Sequence, residues 1–123
     1  MDNLDWGWYL FGFEGRINRG KFWLGWAVLY AFFIIAWAIA GAANSAFVWT
    51  LVGLLSLAAI WPGLAIQIKR WHDRGKSGWW VLISLIPIIG FWWVLIECGF
   101  LQGDVGPNEY GPDPLGPIGE EVY

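Results

Sequence analysis

Residues 22–68, FWLGWAVLYAFFIIAWAIAGAANSAFVWTLVGLLSLAAIWPGLAIQI, contain no Asp, Glu, Lys, Arg or His across 47 positions. A hydrocarbon core about 30 Å thick is crossed by roughly 20 helical residues, so this run is long enough for two crossings. The break between them is visible in Gly41-Ala42-Ala43-Asn44-Ser45, which gathers small and turn-forming residues and holds the only amide side chain between Lys21 and Gln67. The sequence predicts one span over residues 22–41 and a second over 46–68. A third uncharged stretch, residues 78–96, is just long enough to follow them. Helices satisfy their own backbone hydrogen bonds in lipid, whereas barrel strands alternate in polarity. Phe32-Phe33-Ile34-Ile35 and Leu54-Leu55 do not alternate. The predicted fold is an all-α integral membrane bundle of three transmembrane helices.

Two prolines fall inside these spans. Pro62 removes the helical partner of the Ala58 carbonyl and Pro87 that of Ile83, so both predict kinks. Pro87-Ile88-Ile89-Gly90 has a second reading, in which the third segment turns back as a re-entrant hairpin instead of crossing. The first apolar core is long for a cleaved signal and acidic residues precede it, so a retained anchor is expected.

Composition agrees with lipid as solvent. Hydrophobic residues make up 58% of the 123-residue chain and charged residues 14%, against about 45–50% and 25% in soluble domains. The twelve Trp residues suit the wet edges of a bilayer. Trp23, Trp26, Trp71, Trp79 and Trp80 fall near one predicted interface, and Trp49, Trp92 and Trp93 near the other. One cysteine, Cys98, excludes an intrachain disulfide and a Cys-based metal site.

Charge is unevenly placed. All Lys and Arg fall in two clusters, Arg16, Arg19, Lys21 and Lys69, Arg70, Arg74, Lys76, separated by two predicted spans. Cations near span ends favour the cytoplasm, which puts both clusters and the N-terminus there. A third crossing then carries the C-terminus outside, and a re-entrant hairpin brings it back. The net charge of -3 gives no reason to expect nucleic acid.

Two shorter pieces flank the spans. Residues 4–13 are aromatic and too short to cross, which predicts an interfacial segment within a membrane domain over 1–98. Residues 99–123 hold six Gly and four Pro and five acids, which predicts an irregular tail.

Few residues suggest chemistry. Arg16, Arg19, Arg70 and Arg74 are candidates for an anion or headgroup pocket, because a planar guanidinium suits phosphate. The plainer alternative is that these cations set orientation and meet anionic headgroups. His72 beside Asp73 suggests a base, but neighbouring helical positions point about 100° apart and this is the only His. The competing expectation is a structural ion pair of Asp73 with Arg70 or Arg16. Gln67, Glu97 and Cys98 sit at span ends and are expected to be ordinary interfacial residues. No residue is assigned as catalytic or metal-binding and no cofactor is expected.

Four stretches together carry a family resemblance: FEGRINRGKFW at 13–23, KRWHDRGKSGWW at 69–80, IPIIG at 86–90 and GPNEYGPDP at 106–114. In this order and spacing the chain resembles the small bacterial inner-membrane proteins grouped as domain of unknown function 805. The resemblance implies a multi-span protein of the bacterial inner membrane and transfers no catalytic or ligand residue. The expected role is non-enzymatic, as an accessory component of a larger membrane complex or a lipid-binding protein, with membrane lipids as partners. Ala27/Ala31, Ala36/Ala40 and Ala59/Gly63 permit close helix approach and self-association as a homo-oligomer. The alternatives are a small oligomeric channel or carrier and an enzyme acting on a phosphate-bearing lipid. Uncharged span centres weigh against proton-coupled transport.

Overall fold

The computed structural model describes residues 5–115, and every regular element among them is helical. In chain order they are α1 (Trp6–Phe11), α2 (Arg19–Ala43), α3 (Ala46–Ala58), α4 (Ile60–Asp73), a 3-10 helix (Gly78–Leu85) and α5 (Ile89–Gly99). Leu4 of the predicted interfacial segment and residues 116–123 of the predicted tail lie outside the described residues.

The two long apolar rods have local causes. Asn18 starts α2 by accepting the Lys21 backbone N–H at 2.8 Å. Asn44 ends it in the left-handed region, φ 45°, ψ 47°, which Asn tolerates better than most residues. Ser45 then caps α3, its Oγ accepting the Val48 N–H at 3.1 Å. Asn44-Ser45 is therefore the whole turn, and α2 runs longer at both ends than composition suggests. α3 and α4 together form a rod of 28 residues, interrupted at Ala59, three positions before Pro62. At about 1.5 Å per residue these rods are about 38 and 42 Å long, more than a bilayer core requires.

Packing separates the rods from the core helices of a soluble protein. Their most apolar windows have mean hydropathy 2.0 and 1.9, yet only 22% of each window is buried. Large open apolar faces of this kind call for lipid around them.

The third predicted span is not a single helix. The 3-10 helix and α5 are each about 16 Å long, half a bilayer core. Lys76, ahead of the first arm, pairs with Glu97 near the end of the second. Between the arms the Trp80 and Trp93 rings lie 6.2 Å apart. The segment folds back on itself as a hairpin, so the described residues hold two long apolar helices and a pair of short ones, and the three-span expectation is not confirmed. Trp93 also donates its Nε1–H to Glu97 at 3.0 Å.

The tip accounts for the reversal. Ile88 adopts φ 67°, ψ −63°, and the Ile89 N–H reaches the Pro87 carbonyl at 2.6 Å, forming a γ-turn strained for a β-branched residue. Gly90 N–H donates to the Ile86 carbonyl at 2.9 Å and Trp92 N–H to that of Ile88 at 3.1 Å. The tip thus satisfies its own carbonyls, and Pro87 has no N–H to leave unpaired in lipid.

The hairpin brings the start of the tail back to the end of the bundle where α1 and the 74–77 loop lie. A direct test uses Glu14→Cys and Glu109→Cys, both exposed positions, each in a Cys98→Ser background. An impermeant maleimide is expected to label both from the same side of sealed vesicles. Labelling from opposite sides would mean that the third segment crosses.

The compact core also sits at this end. Tyr9, Ile17, Phe22, Ile66, Trp71 and Cys98 form a buried cluster where α1, the start of α2, the end of α4 and α5 meet.

Candidate functional site

The last turn of α4 concentrates charge in an unusual place: Lys69 and Arg70 are 0% exposed, Asp73 3% and Arg16, from the loop before α2, 5%. Buried charges persist only when paired and hydrogen-bonded. Asp73 stands between two guanidinium groups. Its Oδ1 accepts Arg16 Nε at 2.9 Å and its Oδ2 accepts Arg70 Nη1. One carboxylate leaves this trio with a net positive charge, and backbone carbonyls supply the remaining acceptors.

Most of those carbonyls come from the tail. Arg16 donates to Asp104 at 2.6 Å, Gly106 at 2.8 Å and Gly111 at 3.1 Å. Arg70 donates to Cys98 at 2.7 Å and Leu101 at 2.5 Å. The 106–114 loop is shaped to present them. Gly106 and Gly111 take positive φ, 78° and 138°, and Asp113 holds the Gly106 N–H at 2.8 Å. With four of five donors already occupied on each, Arg16 and Arg70 have little left for an outside anion.

The remaining cations are arranged around this trio. Arg19 donates to the Phe100 carbonyl at 2.7 Å, and Arg74 to that of Gln102 at 2.5 Å. Arg74 also lies 3.5 Å from Glu97, which Lys76 shares. Lys69 Nζ meets the carbonyls of Trp8, Tyr9 and Gly12 at 2.7–2.8 Å, closing the C-terminal end of α1 with a positive charge. Tyr9 is sealed beneath it, donating its hydroxyl to the Lys21 carbonyl, and burial pushes its phenol up to about 12.

His72 and Asp73 do not form a couple. His72 Nδ1 lies 2.9 Å from the Gly15 carbonyl, a contact that requires Nδ1–H, and its ring stacks on Tyr110 at 4.1 Å. Asn108 then donates to the His72 carbonyl at 2.9 Å, so the residue works as a fastener for the tail.

Sequence reasoning brought forward Arg16, Arg70 and Asp73, which the structure places together. It missed Lys69, Glu97 and the tail carbonyls. The signal for the last was present in the turn residues of GPNEYGPDP, although their acceptor was not. Gln67, Glu97 and Cys98, expected at a wet interface, are buried at 7%, 7% and 0% exposure.

A second feature lies deeper. Between α2, α4 and the hairpin is a cleft of about 430 Å³ whose mouth is framed by the exposed side chains of Trp23, Trp26, Ile88 and Phe91. Its size falls within the range of small-ligand sites. Apart from Gln67 and Ser84 the side chains around it are apolar.

Two long apolar helices, an apolar hairpin and a charge-stitched cap define this molecule as a helical membrane protein. The chain belongs to the family described as protein of unknown function DUF805, whose profile matches residues 10–112. It is 34% identical over 121 residues to the inner membrane protein YhaH of Escherichia coli strain K12, covering 87% of this chain and 95% of that one. Identity to the inner membrane protein YhaI of the same strain is 36% over 121 residues, 87% and 94% of the two chains. The uncharacterized protein YiiR of that strain is 30% identical over 129 residues, covering 85% and 87%. No solved structure matches the chain.

Proposed function

We propose that this protein is a non-enzymatic, lipid-binding component of the bacterial inner membrane, with its charged cap in the cytosol and the cleft holding a lipid acyl chain. The observation that carries this reading is the cleft itself, apolar and framed by exposed aromatic and aliphatic side chains in the part of the molecule that lipid surrounds. The cap supports it by contrast. Its arginines and Lys69 are engaged by carboxylates and carbonyls of the same chain, and His72 is held as a fastener, so the polar end has the character of a rigid seal. The distribution of Lys and Arg supports the cytosolic placement of that end.

Lipid retention tests the proposal. Purified in mild detergent and washed, the protein is expected to keep about one phospholipid, visible as a discrete mass increment by native mass spectrometry. Val94→Trp, which fills the cleft from α5, is expected to lose it while keeping the circular dichroism of the folded helices. Equal retention by both proteins would remove the cleft as the binding place.

A further inference from the structure

We propose that Gln67 reads the bound lipid, donating from Nε2 to the acyl carbonyl oxygen of an ester- or amide-linked chain; this rests on the lipid-binding reading above. The side chain lines the cleft and is only 7% exposed. Its orientation follows from its neighbours. Trp71 Nε1 lies 3.1 Å from one amide atom, and an indole N–H only donates, so that atom is Oε1. The Ser84 hydroxyl donates to the same oxygen at 3.1 Å. Both lone pairs of Oε1 are thus taken and the amide is locked in one orientation.

The consequence falls on Nε2. It carries two N–H donors and has no hydrogen-bond partner among the described residues, in surroundings that are otherwise apolar. Nε2 is not sealed off by the protein, and a side chain held this firmly cannot turn away from the cleft it lines to find a partner elsewhere. The acceptor has to come from whatever enters the cleft.

Depth narrows the choice. Gln67 precedes Arg70 by three residues, placing it about 4.5 Å further along the helix axis toward the membrane centre. The polar layer of each leaflet is about 5–8 Å thick, so this level lies beneath the headgroup phosphates and near the linkage that joins headgroup to chain. An acyl carbonyl is an uncharged acceptor and needs no cation opposite it. That suits a position whose nearest arginines are engaged elsewhere.

The test compares diacyl phosphatidylglycerol with its dialkyl ether analogue, matched in headgroup and chain length, on the full chain in detergent. The ester lipid is expected to bind about 2- to 10-fold more tightly, the range that one net hydrogen bond supplies. In Gln67→Leu that preference is expected to fall to about one. Because Gln67→Leu also releases Trp71 and Ser84, a second measurement uses the unaltered protein alone. With a carbonyl-13C ester lipid, the infrared carbonyl band is expected to move to lower frequency on binding. Equal binding of both lipids with an unmoved band would overturn the role of Gln67 and leave lipid binding intact. Retention of neither lipid would overturn both.

Discussion

Asp73→Ala is expected to destabilise the folded protein by about 3–5 kcal/mol, the cost of removing one partner from a buried ion pair. Arg16 and Arg70 stay at 5% and 0% exposure in the native packing and cannot reach water without the cap opening. Deleting the carboxylate leaves two guanidinium groups facing each other across the vacated position, with only carbonyl dipoles to hold them. The carbonyl of residue 73 also accepts the Asp104 N–H at 2.6 Å, so any local shift carries the tail with it. Unfolding followed by near-ultraviolet circular dichroism in detergent measures the loss. Asp73→Asn, which keeps the shape and loses the charge, should fall between the two. The exposed control Glu109→Ala should stay within about 0.5 kcal/mol of the unaltered protein. If Asp73→Ala unfolds with the control, the buried trio does not hold the cap.

Gly90→Ala carries the second large effect, expected at about 1–3 kcal/mol or more. Gly90 opens α5 just after the hairpin tip, and a Cβ placed there would overlap the Ile83 carbonyl oxygen, with the Ser84 Cα 3.2 Å away. Backbone atoms in a paired arm cannot give way as the end of a flexible side chain can. Helix propensity pulls the other way, since Ala is favoured over Gly by about 0.8–1.0 kcal/mol within a helix. Steric overlap outweighs that preference, so the net sign is destabilising. Gly41→Ala provides the contrast, because no atom lies within 4 Å of its Cβ position. That variant should be at least as stable as the starting protein. Gly90→Ala is expected to separate the arms, which loosens the Lys76–Glu97 pair and raises protease cleavage between residues 78 and 99. An unchanged digestion pattern would argue that the arms are not in contact at this position.

These two positions also mark the limit of what the chain discloses when read alone. Gly90 belongs to IPIIG, whose two readings, a kinked crossing and a hairpin, satisfy the same hydropathy. Each is uncharged, and either length is adequate at its own helical rise. What separates them is the pairing of Lys76 with Glu97 and the reach of Arg70 to Cys98 and Leu101. These are contacts between residues 21 to 31 positions apart, which no local pattern encodes. Asp73 differs: Arg70 is one helical turn away and Arg16 lies beside the first span, so the pairing is legible as an expectation from the chain alone. The tail is the reverse case. Its turn residues are readable, but a backbone carbonyl carries no sequence signature, and nothing in GPNEYGPDP announces that its carbonyls would occupy Arg16.

Sequence alone determined that the chain belongs in lipid and that residues 22–68 supply two helices long and apolar enough to cross it, because moving charge into hydrocarbon is costly and that cost is paid residue by residue along the chain. Tertiary structure alone decided that the third apolar segment turns back, that the cationic borders are sealed by the protein's own carbonyls, and that one amide donor is left facing a cleft. Each of those outcomes depends on which acceptor a distant part of the fold brings within about 3 Å of a buried donor.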